Sequence, residues 1–260
     1  NGKAGFCGAL NTPRVFRWGP HFGEEPPLIG EHGSGCIFFS RCTLKCIYCQ
    51  NSPWSWKGEG ADKSIAELTE IMRTLAVDDH CSNWNLVSPT TYLPFIREAA
   101  APLIADGIRL PFVWNSSGYE RLETLEEFAG LCDWALFDLR YSREETARAA
   151  SSAPGYVSSA RDAVRWAYGR DGTSLIVRIL VLPGHADEAI ENLWNAIEQG
   201  QSVDMLTERL NKRQAEKEEL ENLKYRSKKE LQGDIRIVEI KGVDMCACCA
   251  PHVHFAGEIG

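Results

Sequence analysis

Cys42, Cys46 and Cys49 stand at C-x₃-C-x₂-C spacing in the stretch Gly33-Ser34-Gly35-Cys36-Ile37-Phe38-Phe39-Ser40-Arg41-Cys42-Thr43-Leu44-Lys45-Cys46-Ile47-Tyr48-Cys49-Gln50-Asn51. Three thiolates within eight residues, just after an apolar strand, can hold three irons of a [4Fe–4S] cube. The fourth iron then keeps an open coordination position, and an open position is what chemistry requires. A structural zinc site asks for a closed set of four ligands, and no fourth ligand lies at zinc-like spacing here. Tyr48 places an aromatic ring one residue before the last cysteine.

The elements around this loop must position it. Cys36 to Phe39 reads as a short strand that delivers the loop at its C-terminal end. Apolar residues at Ile65, Leu68, Ile71 and Met72 predict an amphipathic helix over Ser64 to Leu75, with Ser64 as N-cap. Strands are predicted over Trp84 to Val87, Pro111 to Trp114, Trp134 to Phe137 and Leu175 to Leu182. Helices are predicted over Pro94 to Ala105, Leu122 to Leu131, Val157 to Tyr168 and Glu188 to Gln199, with Thr124 and Glu127 offering a capping box in the second. The resulting βα alternation is the signature of a parallel sheet covered by helices. Ser88, Asn115, Asp138 and Pro183 all fall at C-terminal strand ends, where parallel α/β folds gather their chemistry.

Several blocks in one order carry a resemblance. They are His21-Phe22-Gly23-Glu24-Glu25-Pro26-Pro27-Leu28, the cysteine loop, Asn85-Leu86-Val87-Ser88-Pro89-Thr90, Pro111-Phe112-Val113-Trp114-Asn115-Ser116-Ser117-Gly118-Tyr119-Glu120, Phe137-Asp138-Leu139-Arg140-Tyr141 and Val177-Arg178-Ile179-Leu180-Val181-Leu182-Pro183-Gly184-His185. Together they resemble the radical S-adenosylmethionine (radical SAM) enzymes, in the branch related to pyruvate formate-lyase activating enzymes. The resemblance implies an α/β fold, a partial parallel (β/α) barrel that is truncated here. It also implies a [4Fe–4S] cluster on Cys42, Cys46 and Cys49 and SAM chelated at the open iron. The implied partners are SAM, an electron donor such as flavodoxin or ferredoxin, and a protein substrate carrying the glycine to be activated. The family usually has Lys at the position of Arg140 and His at that of Ile179, and Ser88-Pro89-Thr90 replaces the Gly-Gly-Glu of the wider superfamily. Relatives carry cysteines upstream of Cys7, so the resemblance implies an N-terminus cut short.

Among candidate cofactor-binding residues the resemblance brings Tyr48, Ser88 and Thr90 toward SAM, although Ser88 and Thr90 could equally cap the following helix. Asn115, Ser116 and Ser117 are read as ribose or substrate contacts, or as turn formers. Asp138 and Arg140 point toward the cofactor or form an ion pair. Arg178 interrupts an apolar strand, where an unpaired charge is costly, so a carboxylate or SAM is its expected partner. His185 is read as an acid–base group or a helix-start residue.

Composition bounds the rest. The chain has 260 residues, 44% hydrophobic and 25% charged, with a net charge of −8. That is an ordinary globular balance, and it argues against broad electrostatic binding of nucleic acid. No run of about 18 apolar residues exists to span a membrane, and no export signal precedes the first block. Ten cysteines that are clustered rather than spread fit a reducing cytoplasm. Cys7, Cys36, Cys81 and Cys132 read as buried inert thiols.

The expected organisation is an irregular lead-in over 1–34, a core over 35–199, a charged helical linker over 200–232 and a small β-containing fragment over 233–260. The last of these resembles part of the editing domain of alanyl-tRNA synthetases, through Cys246-Ala247-Cys248-Cys249-Ala250-Pro251-His252 and the closing Gly257-Glu258-Ile259-Gly260. Cys248 and His252 are its zinc candidates, but the family's H-x-x-x-H pair is missing, so weak binding is expected. The leading functional expectation is a radical SAM enzyme. The alternatives are a zinc-dependent alanyl-tRNA editing hydrolase fragment and a non-catalytic Fe–S protein.

Overall fold

The computed structural model describes residues 5–198 and two three-residue strands further on. Its sheet has seven strands: β1 (Arg14–His21), β2 (Ser34–Phe39), β3 (Ala61–Asp62), β4 (Trp84–Val87), β5 (Phe112–Ser116), β6 (Trp134–Leu139) and β7 (Ser174–Ile179), in the order β3-β1-β2-β4-β5-β6-β7. β2, β4, β5 and β6 pair in parallel, whereas β1 runs antiparallel to β2 and β3. The chain divides into two compact units, Asn1–Arg178 and Ile179–Gly260.

The crossovers are helical: α3 (Ile65–Val77) before β4, α4 (Leu93–Ala105) before β5, α5 (Leu122–Glu127) before β6, and α6 (Glu144–Ser151) with α7 (Tyr156–Tyr168) before β7. Two single-turn helices precede them, α1 (Pro26–Ile29) and α2 (Ser52–Ser55), and α8 (Ala186–Glu198) follows β7. α3 begins as its sequence requires. Ser64 Oγ accepts the Glu67 amide while the Glu67 carboxylate accepts the Ser64 amide, a reciprocal pair that satisfies two otherwise orphaned donors.

Parallel strands buried on both faces should be apolar almost throughout, and β5 is buried at every position. Register shows where the exceptions lie. Val113 and Asn115 of β5 share one face with Leu136 and Asp138 of β6, and Ile176 and Arg178 alternate in the same way along β7. On that face each strand begins apolar and ends polar. Leu28 of α1 packs with Val113 and Leu136, and Trp134 and Ile176 join them, forming an apolar floor under the polar strand ends.

Several sequence expectations are corrected. Residues 14–21 are strand rather than irregular lead-in. Gly19-Pro20 masked β1 as a turn, but among the described residues β3 pairs with Arg14 and Val15 alone and no strand lies beside Pro20 on that side, an edge position that proline tolerates. Thr124 and Glu127 form no capping box: the second predicted helix starts at Leu122 behind Arg121 with no side-chain cap, and it gives way to a 3₁₀ turn over Ala129–Leu131. β7 ends at Ile179 rather than Leu182, and α6 was not anticipated.

Cys7, Cys36, Cys81 and Cys132 are buried free thiols, and burial pushes Cys36 and Cys132 up to about 12 and Cys81 to about 11. In the second unit β8 (Arg236–Val238) pairs antiparallel with β9 (Cys246–Cys248). Cys248 lies at the end of β9, while the expected linker over 200–232, Cys249, His252 and His254 lie outside the described residues. Among the described residues no helix is long and apolar enough to cross a membrane.

Candidate functional site

The cysteine loop leaves β2 at Ser40 and is held by backbone bonds from two directions. Arg41 and Cys42 donate to the Trp54 and Ser55 carbonyls of α2, both at 3.1 Å. Lys45 and Ile47 donate to the Ser151 and Ala150 carbonyls at the end of α6, at 3.0 and 2.8 Å. Leu44 is buried beneath the loop and Ile47 is exposed on it. Arg41 adopts a left-handed backbone (φ 71°), a conformation that non-glycine residues rarely take and that tends to occur at functional sites.

Each of the three sulfurs accepts hydrogen bonds. The Leu44 amide donates to Cys42 Sγ at 3.5 Å. Arg140 Nη1 and the Ser151 hydroxyl donate to Cys46 Sγ, at 3.3 and 2.9 Å. The Asn51 amide and Ser55 hydroxyl serve Cys49. Burial raises the Cys42 and Cys49 thiols, which these bonds and the Arg140 charge oppose, while the neighbouring cysteines raise them further. Three cysteines on one loop, each supplied with donors, suit iron ligation, in which the metal itself deprotonates the thiol. Among the described residues no three His, Cys, Asp or Glu side chains could hold one metal ion. This is compatible with a cube, because a cube binds its three cysteines at three separate irons. The donor set therefore fits a [4Fe–4S] cluster on Cys42, Cys46 and Cys49.

Above the apolar floor lies a connected ring of polar side chains. Arg178 Nε donates to Asp138 Oδ1 and Arg178 Nη2 to Asn115 Oδ1, both at 2.7 Å, and Glu24 stands 3.6 Å from the same guanidinium. Glu24 accepts from the side-chain amides of Asn85 and Asn115, each at 3.0 Å. Arg140 takes the other Asp138 oxygen, with Nη2 at 2.6 Å and Nε at 3.1 Å. Burial alone would push the Asp138 carboxyl up, but Arg178 and Arg140 outweigh it and hold it below the usual carboxylate range. The Tyr156 hydroxyl, lodged between the Ser117 and Asp138 carbonyls, accepts the Arg140 amide at 3.1 Å.

The loops after β4 and β5 complete the site. Ser88 is left-handed (φ 57°), and its amide donates to the Asn115 carbonyl at 2.8 Å. Thr90 donates to Glu120 Oε1 at 2.7 Å. Glu120 is buried, and burial pushes its carboxyl up to about 7 against the opposing hydrogen bonds of Thr90, Ser116 and Trp114. Ser116 and Ser117 accept the Gly118 and Tyr119 amides, so both shape the turn. Gly118 is needed there: its φ is 72°, and a Cβ would lie 3.0 Å from the Asp138 carbonyl.

Cys42, Ser88, Thr90 and Ser117 thus line one small cleft together with Arg41, Thr43, Thr91 and Ser116. Arg140 reaches Cys46, Asp138 joins Arg140 to Arg178, and Asn115 belongs to the ring. The Tyr48 hydroxyl bonds the Tyr141 hydroxyl. His185 lies just before α8, in the second unit, with Nδ1 3.0 Å from Glu188. Sequence reasoning assigned no role to Glu24, Glu120 or Ser151. The first two sit inside blocks that carried the resemblance, and a buried acid there was the available signal. Ser151 had none, because its approach to Cys46 depends on the packing of α6.

Residues 36–197 match the family described as the Radical SAM superfamily. The chain is also similar to a protein of Methanocaldococcus jannaschii described as Uncharacterized protein MJ0674. The two are 29% identical over 188 residues, 68% of this chain and 52% of that protein. The chain therefore spans about half the length of the curated relative it matches.

Proposed function

The chain belongs to the radical SAM superfamily, and from that premise we propose that Cys42, Cys46 and Cys49 hold a [4Fe–4S] cluster at which SAM is cleaved reductively for hydrogen abstraction. The observation that carries this reading is the convergence of one cluster cysteine with the strained Ser88 and Arg41 on a single cleft. When bound there, the group supplies one-electron reduction of SAM to methionine and a 5′-deoxyadenosyl radical, chemistry that belongs to the cofactors. The protein supplies position and charge. Ser88 and Thr90 line the cleft, Arg178 and Arg140 hold the Asp138 carboxylate between them, and the apolar floor closes the sheet face beneath.

The finer reading is an activating enzyme that takes hydrogen from a glycine of a partner polypeptide, with flavodoxin or ferredoxin as electron donor. Its support is the ordered set of motif blocks. The test is anaerobic reconstitution with iron and sulfide, followed by reduction in the presence of SAM. Methionine and 5′-deoxyadenosine should form together. Their absence from a chain carrying four irons would defeat the proposal. Deuterium entering 5′-deoxyadenosine from a glycine-labelled polypeptide would support the activating role, and transfer from small molecules alone would remove it.

A further inference from the structure

We propose that Arg140 and Ser151 raise the reduction potential of the cluster by hydrogen bonding to one of its ligands, the sulfur of Cys46. This rests on the reading of Cys42, Cys46 and Cys49 as cluster ligands. Cys42 Sγ receives the Leu44 amide at 3.5 Å and Cys49 the Asn51 amide and Ser55 hydroxyl, whereas Cys46 Sγ receives a charged guanidinium N–H at 3.3 Å beside a hydroxyl at 2.9 Å. Both donors reach the sulfur of a residue that is only 3% exposed, where hydrogen bonds act with little competition from water.

Neither donor is free to turn away. Arg140 Nε and Nη2 are committed to Asp138, which leaves Nη1 facing the sulfur. A lysine has one nitrogen and no rigid fork, so it cannot hold both partners in this fixed geometry. A serine hydroxyl has a single proton. If it goes to Cys46, the bond between Ser151 Oγ and the Tyr141 hydroxyl (2.5 Å) must be donated by Tyr141. Tyr141 must in turn accept from Tyr48. The three hydroxyls therefore align head to tail toward the sulfur, an arrangement in which each bond polarises the next. Hydrogen bonds to a ligand sulfur draw off electron density and favour the reduced cluster.

The test is a redox titration of the reconstituted full chain, wild type beside Ser151→Ala and Arg140→Lys, with iron and sulfide counted for each. Each variant should keep its cluster and show a midpoint moved negative by about tenfold in the reduction equilibrium, about 59 mV for a one-electron couple. An intact cluster with an unmoved or raised midpoint in both variants overturns the proposal and leaves the cluster assignment standing. A shift in Ser151→Ala alone overturns the Arg140 half. Should Arg140→Lys lose its iron, Ser151→Ala decides by itself. No cluster in the wild type would defeat the underlying reading instead.

Discussion

Thr90 and Glu120 tie the loop after β4 to the loop after β5 through a half-buried hydrogen bond, 2.7 Å from hydroxyl to carboxyl. Because burial holds the Glu120 carboxyl near 7 against an ordinary 4.5, the folded chain binds this proton more tightly than the unfolded chain does. The contribution to stability is complete below about pH 4.5 and is lost as pH rises through 7, by about 3 kcal/mol. Glu120→Gln should therefore flatten the decline in Tm between pH 5 and 8 in the metal-free chain. Parallel curves for wild type and variant would show that Glu120 binds its proton equally in the folded and unfolded chain.

Asp138 separates two guanidinium groups. Asp138→Asn leaves the half-buried Arg140 and Arg178 without their shared carboxylate, and because both guanidinium groups keep contact with water the cost should fall below the value of about 3–5 kcal/mol for a fully buried pair. Urea unfolding should register that loss. A change below about 1 kcal/mol would mean that Glu24 compensates Arg178 and solvent compensates Arg140.

Much of this was legible in the sequence, for a physical reason. Cysteine spacing is local, so the loop could be read directly as a candidate site, and strand ends in a parallel sheet placed Ser88, Asn115 and Asp138 on one edge; Arg178 was read inside its strand, with Pro183 at the end, because β7 stops earlier than its apolar run suggests. The hidden parts are those that depend on distant packing. Ser151 reaches Cys46 across 105 positions of sequence, and Glu24 meets Asn115 across 91. No periodicity encodes such distances. β1 was hidden differently, since Gly19-Pro20 carries the composition of a turn yet lies within a strand that is largely unpaired on its outer side.

Replacing any one of Cys42, Cys46 or Cys49 by Ala should remove most of the bound iron after reconstitution. The loop keeps its backbone anchors to α2 and α6 in each variant, so the chain should remain folded by circular dichroism. Four irons retained in all three variants would contradict their assignment as ligands.

For Cys248 and His252 the expectation is weak zinc binding, because two ligands without further convergence hold the metal loosely. After mild chelation the full chain should carry the same small amount of zinc as Cys248→Ala and His252→Ala. It should also fail to deacylate mischarged alanyl-tRNA. One equivalent of zinc that survives chelation in the wild type and disappears in both variants would restore the editing-domain reading.

The last carbonyls of any helix lack partners within the helix. At the end of α6, the carbonyls of Ala150 and Ser151 receive the amides of Ile47 and Lys45. One helix terminus and one loop thus complete each other through backbone bonds. Docking of α6 and placement of the cysteine loop are thereby one event: whatever frays the last turn of α6 also loosens the backbone that carries Cys46. Amide exchange at Lys45 and Ile47 should be slow before loading as well as after it.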